Sequence, residues 1–310
     1  DRRGNFLGLF FTDAFMLSDF FLVRSFLKWK NTYMMKMEEW MHIISEMDAM
    51  VSMADFRYNH PEAEEAEFVS GKQEAGSESI ASENAGIGSP EIVFDGKNLY
   101  HPFLGAKAVK NDFTIKDDNY YIITGANMAG KSTFLRSLGV NYILAMAGMP
   151  VFADQLKISR FRLFSSMRTT DDLTHGISYF NAELIRLEEL LKFCRESAEG
   201  MFCKESAEDN KEPLRTLIIL DEILKGTNSL DKLNGSRKFL EAIAKQPVSG
   251  IIATHDLELS KMENDASGKF HNYCFEIDLG TDVTYTYKIQ KGVARNQNAT
   301  FLLNKILEKY

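Results

Sequence analysis

Apolar and polar positions divide the chain into three regimes. From Phe6 to Lys30, Leu7, Phe10, Phe11, Ala14, Leu17 and Phe21 recur at helical spacing, which predicts a first helical stretch. A second follows from Asn31 to about Phe56, carrying Met34, Met35, Met37, Trp40, Met41, Ile44, Met47, Met50 and Met53. Such a methionine stripe reads as helix-on-helix core, with a promiscuous binding surface as the alternative. Asp13, Asp19 and Arg24 interrupt the first stretch, so no 18-residue apolar run exists, and a packed amphipathic helix is expected rather than a membrane span. From Pro61 to Pro90 the chain is rich in Glu, Ser, Gly and Ala, the composition of a flexible connection. Beyond Glu91, short apolar runs near 91–95, 119–124, 161–167, 215–220, 249–254, 272–278 and 284–289 alternate with helical patterns. This alternation predicts an α/β sheet, largely parallel at its centre, with residues 195–213 as a solvated loop. The expected organisation is a helical arm over 1–60, an acidic flexible connection over 61–90 and a main α/β domain over 91–310.

Charge sharpens that division. The net charge is −8, but residues 61–91 hold eight Glu and one Lys, so the remainder is close to neutral. No strongly basic region advertises non-specific nucleic-acid binding. Cys194, Cys203 and Cys274 lack metal-ligand spacing and leave one thiol unpaired under any disulfide scheme, which favours a reducing, cytoplasmic setting. No basic n-region and cleavage site mark a signal peptide. A first residue of Asp rather than Met is read as a longer natural protein cut short.

The strongest chemical signal is GANMAGKST, residues 125–133, a complete G-x-x-x-x-G-K-[ST] phosphate loop, or Walker A motif. It is entered from the apolar run Tyr120–Ile123 and left through the helical run Phe134–Leu138. Gly125 and Gly130 let the backbone curl, so that successive N–H groups and the following helix N-terminus face phosphates. Lys131 adds a charge for the β and γ phosphates, and the Ser132 hydroxyl is placed for Mg²⁺. The loop residues Gly125, Ala126, Asn127, Met128, Ala129, Gly130, Lys131, Ser132 and Thr133 are therefore expected to bind a nucleoside triphosphate.

Further along, LIILDE at residues 217–222 reads as a buried strand ending in two carboxylates, a Walker B pattern. Asp221 is expected to hold Mg²⁺ and Glu222 to orient and polarise the attacking water. A second strand, Gly250–Ala253, runs into Thr254, His255 and Asp256, and His255 becomes a candidate sensor of the γ-phosphate by association with these motifs. Ser178, after Gly176 and Ile177, precedes a long amphipathic helix, and local sequence leaves two readings equal: an ordinary N-cap or a second anion site.

Together these segments resemble the ATPase domain of the MutS family of DNA mismatch-repair proteins, a branch of the ABC-type ATPases. GANMAGKST is similar to the family's GPNMGGKST, DEILKGTNSLD at 221–231 to DEIGRGTSTYD, and ATHDLEL at 253–259 to ATHYFEL. Residues 164–180 align without a gap on FTRIGASDDLASGRSTF, which sets Ser178 on the signature serine. Leu99–Pro102 resembles the R-H-P preceding the nucleotide domain, and SEMDAMVSMADFRYNHPE the end of the lever helices. The resemblance implies a P-loop NTPase fold of the MutS domain V kind with an N-terminal helical arm. It implies ATP and Mg²⁺ as ligands, and a homodimer in which ATP on one subunit's Lys131 loop is closed over by Ser178 of the other. It also places Asn228 and Ser229 at that junction, Gln155 at the glutamine-loop position, and DNA against the arm of the full-length protein. Ala108-Val109-Lys110-Asn111-Asp112 departs from the family's F-V-P-N-D, so adenine stacking passes to Tyr100 or Phe103, and Ile177 stands where the family has Arg. The first functional expectation is a MutS-like ATPase acting on mismatched or branched DNA. The second is a diverged relative serving a protein or membrane-proximal partner, and a small-molecule kinase is disfavoured because the signature serine and histidine switch belong to dimeric ATPases.

Overall fold

The computed structural model describes residues 17–69, 92–167, 179–198, 215–225, 228–279, 283–295 and 307. The chain divides into two compact units, Asp1–Pro61 and Glu62–Tyr310.

The described part of the first unit is one helix, α1 (Ser18–Asn59), 42 residues long and therefore about 63 Å. The two stretches expected at 6–30 and 31–56 join without a break from Ser18 onward, because nothing between Lys30 and Asn31 stops a helix; residues 6–16 lie outside the described residues. Among the described residues no second helix packs against its methionines. Met34, Met35, Met41, Met47 and Met50 are exposed, as are Phe20, Phe21, Trp29 and Trp40, since apolar residues sit on every side of α1 and this unit has no other described element. No described helix is long and apolar enough to cross a membrane.

The second unit is mixed α/β. Its larger sheet has the order β10-β9-β4-β8-β7-β6, built from β4 (Tyr120–Gly125), β6 (Phe161–Ser166), β7 (Arg215–Asp221), β8 (Val248–Ala253), β9 (Phe270–Leu279) and β10 (Val283–Lys291). All neighbours pair in parallel except β9 and β10, which form an antiparallel edge. The central strands are apolar without alternation because both faces are covered: Ile122, Ile123, Ile218, Ile219, Ile251 and Ile252 are all fully buried. Helix α2 (Lys131–Met146) follows β4, α3 (Tyr179–Ala198) precedes β7, and α4 (Ser229–Ile243) lies between β7 and β8. Two core clusters result, one containing Ile123, Leu135 and Ile219, the other Ile122, Leu190 and Leu240.

The smaller sheet has the order β1-β5-β2-β3, from β1 (Glu67–Phe68), β2 (Ile92–Leu99), β3 (Asn111–Lys116) and β5 (Gln155–Ile158). Two features depart from expectation. Glu64 bridges Val151 and Glu67–Phe68 pairs with Lys157–Ile158, so residues 62–69 join this unit instead of running free. Strand β3 was hidden between loop-like residues, although Asn111, Phe113 and Ile115 alternate inward at period two, a signal the sequence carries. At the other end, α3 extends to Ala198, into the stretch expected as loop; residues 199–214 lie outside the described residues. Cys194 and Cys274 are free and buried, and burial pushes both thiols up to about 11, leaving them protonated and inert.

Candidate functional site at the ends of β4, β7 and β8

Because β4, β7 and β8 are parallel neighbours, their C-terminal ends open on the same edge of the sheet, which brings together segments 130 residues apart in sequence. Strand β4 ends at Gly125, whose φ of 151° and closeness to β9 exclude a side chain: a Cβ there would lie 2.9 Å from the Phe275 carbonyl oxygen. The chain then curls through Ala126–Ala129, with Met128 at φ 66°, and enters α2 at Gly130, φ 111°. No side chain caps the α2 N-terminus, so its first-turn N–H groups are left for another acceptor.

Lys131 sits within this curl and is 5% exposed. Its Nζ donates to the carbonyl oxygens of Gly125 at 2.7 Å and Ala126 at 3.0 Å, and lies 3.4 Å from the His255 ring nitrogens. Burial pushes the ammonium down to about 8, against the opposing pull of Glu222 and Asp221.

Asp221 closes β7 and is buried; Glu222 follows in a left-handed conformation, φ 62°, fixed by its N–H donating to the Ala253 carbonyl at 2.9 Å. That strained turn swings the Glu222 carboxylate toward β8, where His255 Nε2 is 2.9 Å from Oε1. Lys225 Nζ is 3.7 Å from Oε2. The hydrogen bond from His255, aided by the charges of His255, Lys225 and Lys232, holds Glu222 down to about 2 despite its burial.

These groups line one open cleft of about 480 Å³, with Asn127, Met128, Ala129, Gly130, Lys131, Ser132 and Thr133 on one side and Asp221, Glu222 and His255 on the other. Gly125 and Ala126 serve it through the carbonyls that hold Lys131. Sequence reasoning missed two further cations at its wall, Arg136 and Lys225; Lys225 lay inside the DEILKGTNSLD segment, at the position of an Arg in the motif it resembles. Ser178 lies outside the described residues. Gln155 opens β5 opposite Lys97 in the smaller sheet and does not line the cleft. Asn228 is the N-cap of α4: its Oδ1 accepts from the Asp231 N–H at 2.9 Å.

Among the described residues no group of three or more His, Cys, Asp or Glu is arranged to hold a metal. The Ser132 hydroxyl and the Asp221 carboxylate nonetheless share the cleft, a hard oxygen set that fits a Mg²⁺ taking its remaining ligands from phosphate oxygens and water.

A second cavity of about 280 Å³ adjoins the first, sharing Gly130 and Thr133, and is lined by Tyr100, His101, Asn111, Phe134 and Tyr287. Of the two rings nominated for a base, Tyr100 lines it, while Phe103 is 94% exposed and does not. Tyr287, unforeseen from sequence, closes the Gly130 side: a Cβ on Gly130 would lie 3.1 Å from its Cδ1.

The arrangement can therefore hold an anion against backbone N–H groups and Lys131, place a carboxylate and an imidazole at its far end, and seat a planar group alongside.

The profile of MutS domain V matches residues 121–301. The chain is also similar to proteins named DNA mismatch repair protein MutS: 32% identical over 231 residues to that of Clostridium perfringens, covering 69% of this chain and 23% of the relative. It is 30% identical over 222 residues to that of Lachnoclostridium phytofermentans, covering 66% and 22%, and 25% identical over 267 residues to that of Staphylococcus haemolyticus, covering 84% and 26%. The chain thus spans about a quarter of the length of the curated relatives it matches. Since the domain V match takes in more than half of its residues, this chain belongs to the MutS family.

Proposed function

We propose that this chain is the ATPase portion of a protein acting in DNA mismatch repair or a related form of DNA maintenance, in which ATP binding and hydrolysis are coupled to DNA held by the full-length protein. The observation that carries this reading is the buried Lys131 ammonium facing the His255–Glu222 pair across a cleft floored by an uncapped helix N-terminus. ATP would place its phosphates on the loop 125–133 and its adenine in the adjoining cavity with Tyr100 and Tyr287. Ser132 and Asp221 would hold Mg²⁺, which when bound neutralises charge on the phosphates. Glu222, kept ionised, accepts a hydrogen bond from and orients the attacking water; His255 positions Glu222 and reports the γ-phosphate; Lys131 exchanges its carbonyl partners for phosphate oxygens. Ser178 of a second subunit would complete the enclosure, making ATP the link in a homodimer.

The test is hydrolysis and binding together. Lys131→Ala should lose ATP binding, and Glu222→Gln should bind ATP yet turn it over at a rate lower by roughly 10²–10⁴-fold. Parent-rate hydrolysis by Glu222→Gln removes the carboxylate from its role. Mixing Ser178→Ala with Lys131→Ala subunits should restore activity to about one site in a shared dimer, and no interaction between the lesions would show independent monomeric sites.

One observation favours the second reading, a protein or membrane-proximal partner instead of DNA: the exposed aromatic and methionine surface of α1. Binding of the full-length protein to duplex or branched DNA, with a steep negative slope against log salt, separates the two.

A further inference from the structure

Strand β4 carries a second cleft, away from the Gly125 end. It is about 440 Å³ and opens between β3, β4, β9 and the end of β10. Tyr121 precedes Gly125 by four residues, so the two regions are roughly 13 Å apart along the strand. Its floor is aromatic: Phe113 meets Tyr121 at 5.3 Å and Tyr273 at 5.1 Å between ring centroids, and Tyr121 meets His271 at 5.4 Å. Its walls are cationic. Lys116 ends β3, and Lys291 ends β10 in register with Tyr273.

Neither ammonium has a carboxylate partner among the described residues. The one carboxylate lining the cleft, Asp112, is engaged elsewhere, accepting the Asn98 N–H at 2.8 Å and pairing with Lys97 at 3.8 Å. Glu263, the acid whose charge acts on His271, accepts from Asn272, whose Nδ2 lies 2.7 Å from Oε2. The unbalanced field is felt inside: burial lowers the His271 pKa, and both Lys116 and Lys291 push it the same way against Glu263. His271 donates from Nε2 to Asn119 Oδ1 at 2.6 Å, and its ring lines the cleft. Tyr121, whose hydroxyl accepts the Lys116 N–H at 2.8 Å, is pushed up to about 12 by burial and keeps its proton as a donor.

Two ammonium groups without a carboxylate partner among the described residues, over a platform of rings, meet the needs of one chemical class, a phosphate attached to a planar ring. We propose that this cleft is a second binding site, independent of the loop 125–133, for a nucleotide unit whose phosphate is held by Lys116 and Lys291 and whose ring lies against Tyr273 and His271. A free mononucleotide and a single-stranded nucleic acid present the same chemistry. The site does not depend on the ATPase reading and stands or falls separately from it.

The experiment is a titration of the full chain, with its histidine rings isotopically labelled, using uridine monophosphate, inorganic phosphate and an oligo-uridine strand. The His271 resonance, assigned through His271→Gln, reports this cleft, and His255 reports the other. We expect a saturable His271 shift with uridine monophosphate, weaker binding of inorganic phosphate for want of the ring, and affinity reduced roughly tenfold in Lys116→Ala/Lys291→Ala. Both lysines are exposed, so the variant should keep the parent's melting behaviour; Lys291→Gln alone, with an intermediate loss, covers the case where it does not. Tighter binding of the strand than of the monomer, with a salt slope that shrinks in the lysine variant, identifies the source as nucleic acid, and equal binding identifies free nucleotide. A His271 resonance that stays still, or that moves equally in the parent and lysine variants, overturns the proposal.

Discussion

His255 Nε2 and Glu222 Oε1 lie 2.9 Å apart although they leave different strands, β8 and β7, and are 33 positions apart in sequence. The apposition rests on the parallel pairing of Asp221 with Ala253 and on the Glu222 N–H bound to the Ala253 carbonyl. The imidazole is thereby fixed as a donor toward the carboxylate, and both groups face Lys131.

This contact gives Glu222 a pH signature. Its pKa is depressed to about 2, so the stability it contributes is complete above the unfolded value of 4.5 and is lost as pH falls toward 2. Urea midpoints of the parent and Glu222→Gln, measured between pH 2 and 7, should differ in their acid dependence within that window. Parallel curves would deny the His255 contact its energetic role.

Lys131 has the opposite sign. Its pKa is lowered from 10.5 to about 8, so the buried ammonium costs stability below pH 8, and that cost fades as pH rises toward 10.5. A triphosphate restores the favourable environment of the charge, so nucleotide binding above pH 8 should take up protons. Calorimetry in buffers of contrasting ionisation enthalpy measures that uptake; an enthalpy independent of buffer at pH 8.5 would place Lys131 away from the phosphates.

Leu224 occupies a left-handed conformation, φ 58°, where the motif it resembles has Gly, and it is nonetheless buried. It fits because α4 offers a notch at Gly235: a Cβ there would lie 2.5 Å from Leu224 Cδ1. Gly235→Ala should therefore destabilise the chain by about 1–3 kcal/mol, and by much less in a Leu224→Ala background. Equal costs in the two backgrounds, read from denaturant melts, would refute the notch.

Asn141 is fully buried on α2 and joins three backbones, donating from Nδ2 to the Tyr100 and Ser137 carbonyls at 3.0 and 2.8 Å and accepting the Phe152 N–H at 2.6 Å. Asn141→Leu should cost about 2–4 kcal/mol by leaving buried polar groups without partners. On the proposed function it should also weaken nucleotide binding, because Tyr100 lines the cavity beside the loop 125–133. A variant of parent stability would mean that those groups find other partners.

How much was legible depended on the range of the interactions involved. The loop 125–133 announced itself because its chemistry is local: two glycines, a lysine and a hydroxyl at fixed spacing between an apolar run and a helix. The central strands of the larger sheet were legible for a similar reason, since burial on both faces writes continuous apolar runs. Strand β1 escaped because two residues in an acidic stretch carry no pattern, and they become a strand only through the edge that β5 presents. Among the described residues nothing packs on the methionines of α1; periodicity records which residues are apolar and not what stands opposite them.

The sequence by itself therefore determined the glycine-bearing loop 125–133 between a strand and a helix, the paired carboxylates at a strand end and the family. The tertiary structure decided that His255 meets Glu222, that Lys225 and Arg136 join the cleft, that Tyr287 closes the cavity beside it, and that two lysines with no carboxylate partner among the described residues flank an aromatic floor elsewhere on β4. The reason is that strand order and register are set by hydrogen bonds and packing between segments far apart in the chain, and no window of residues contains them.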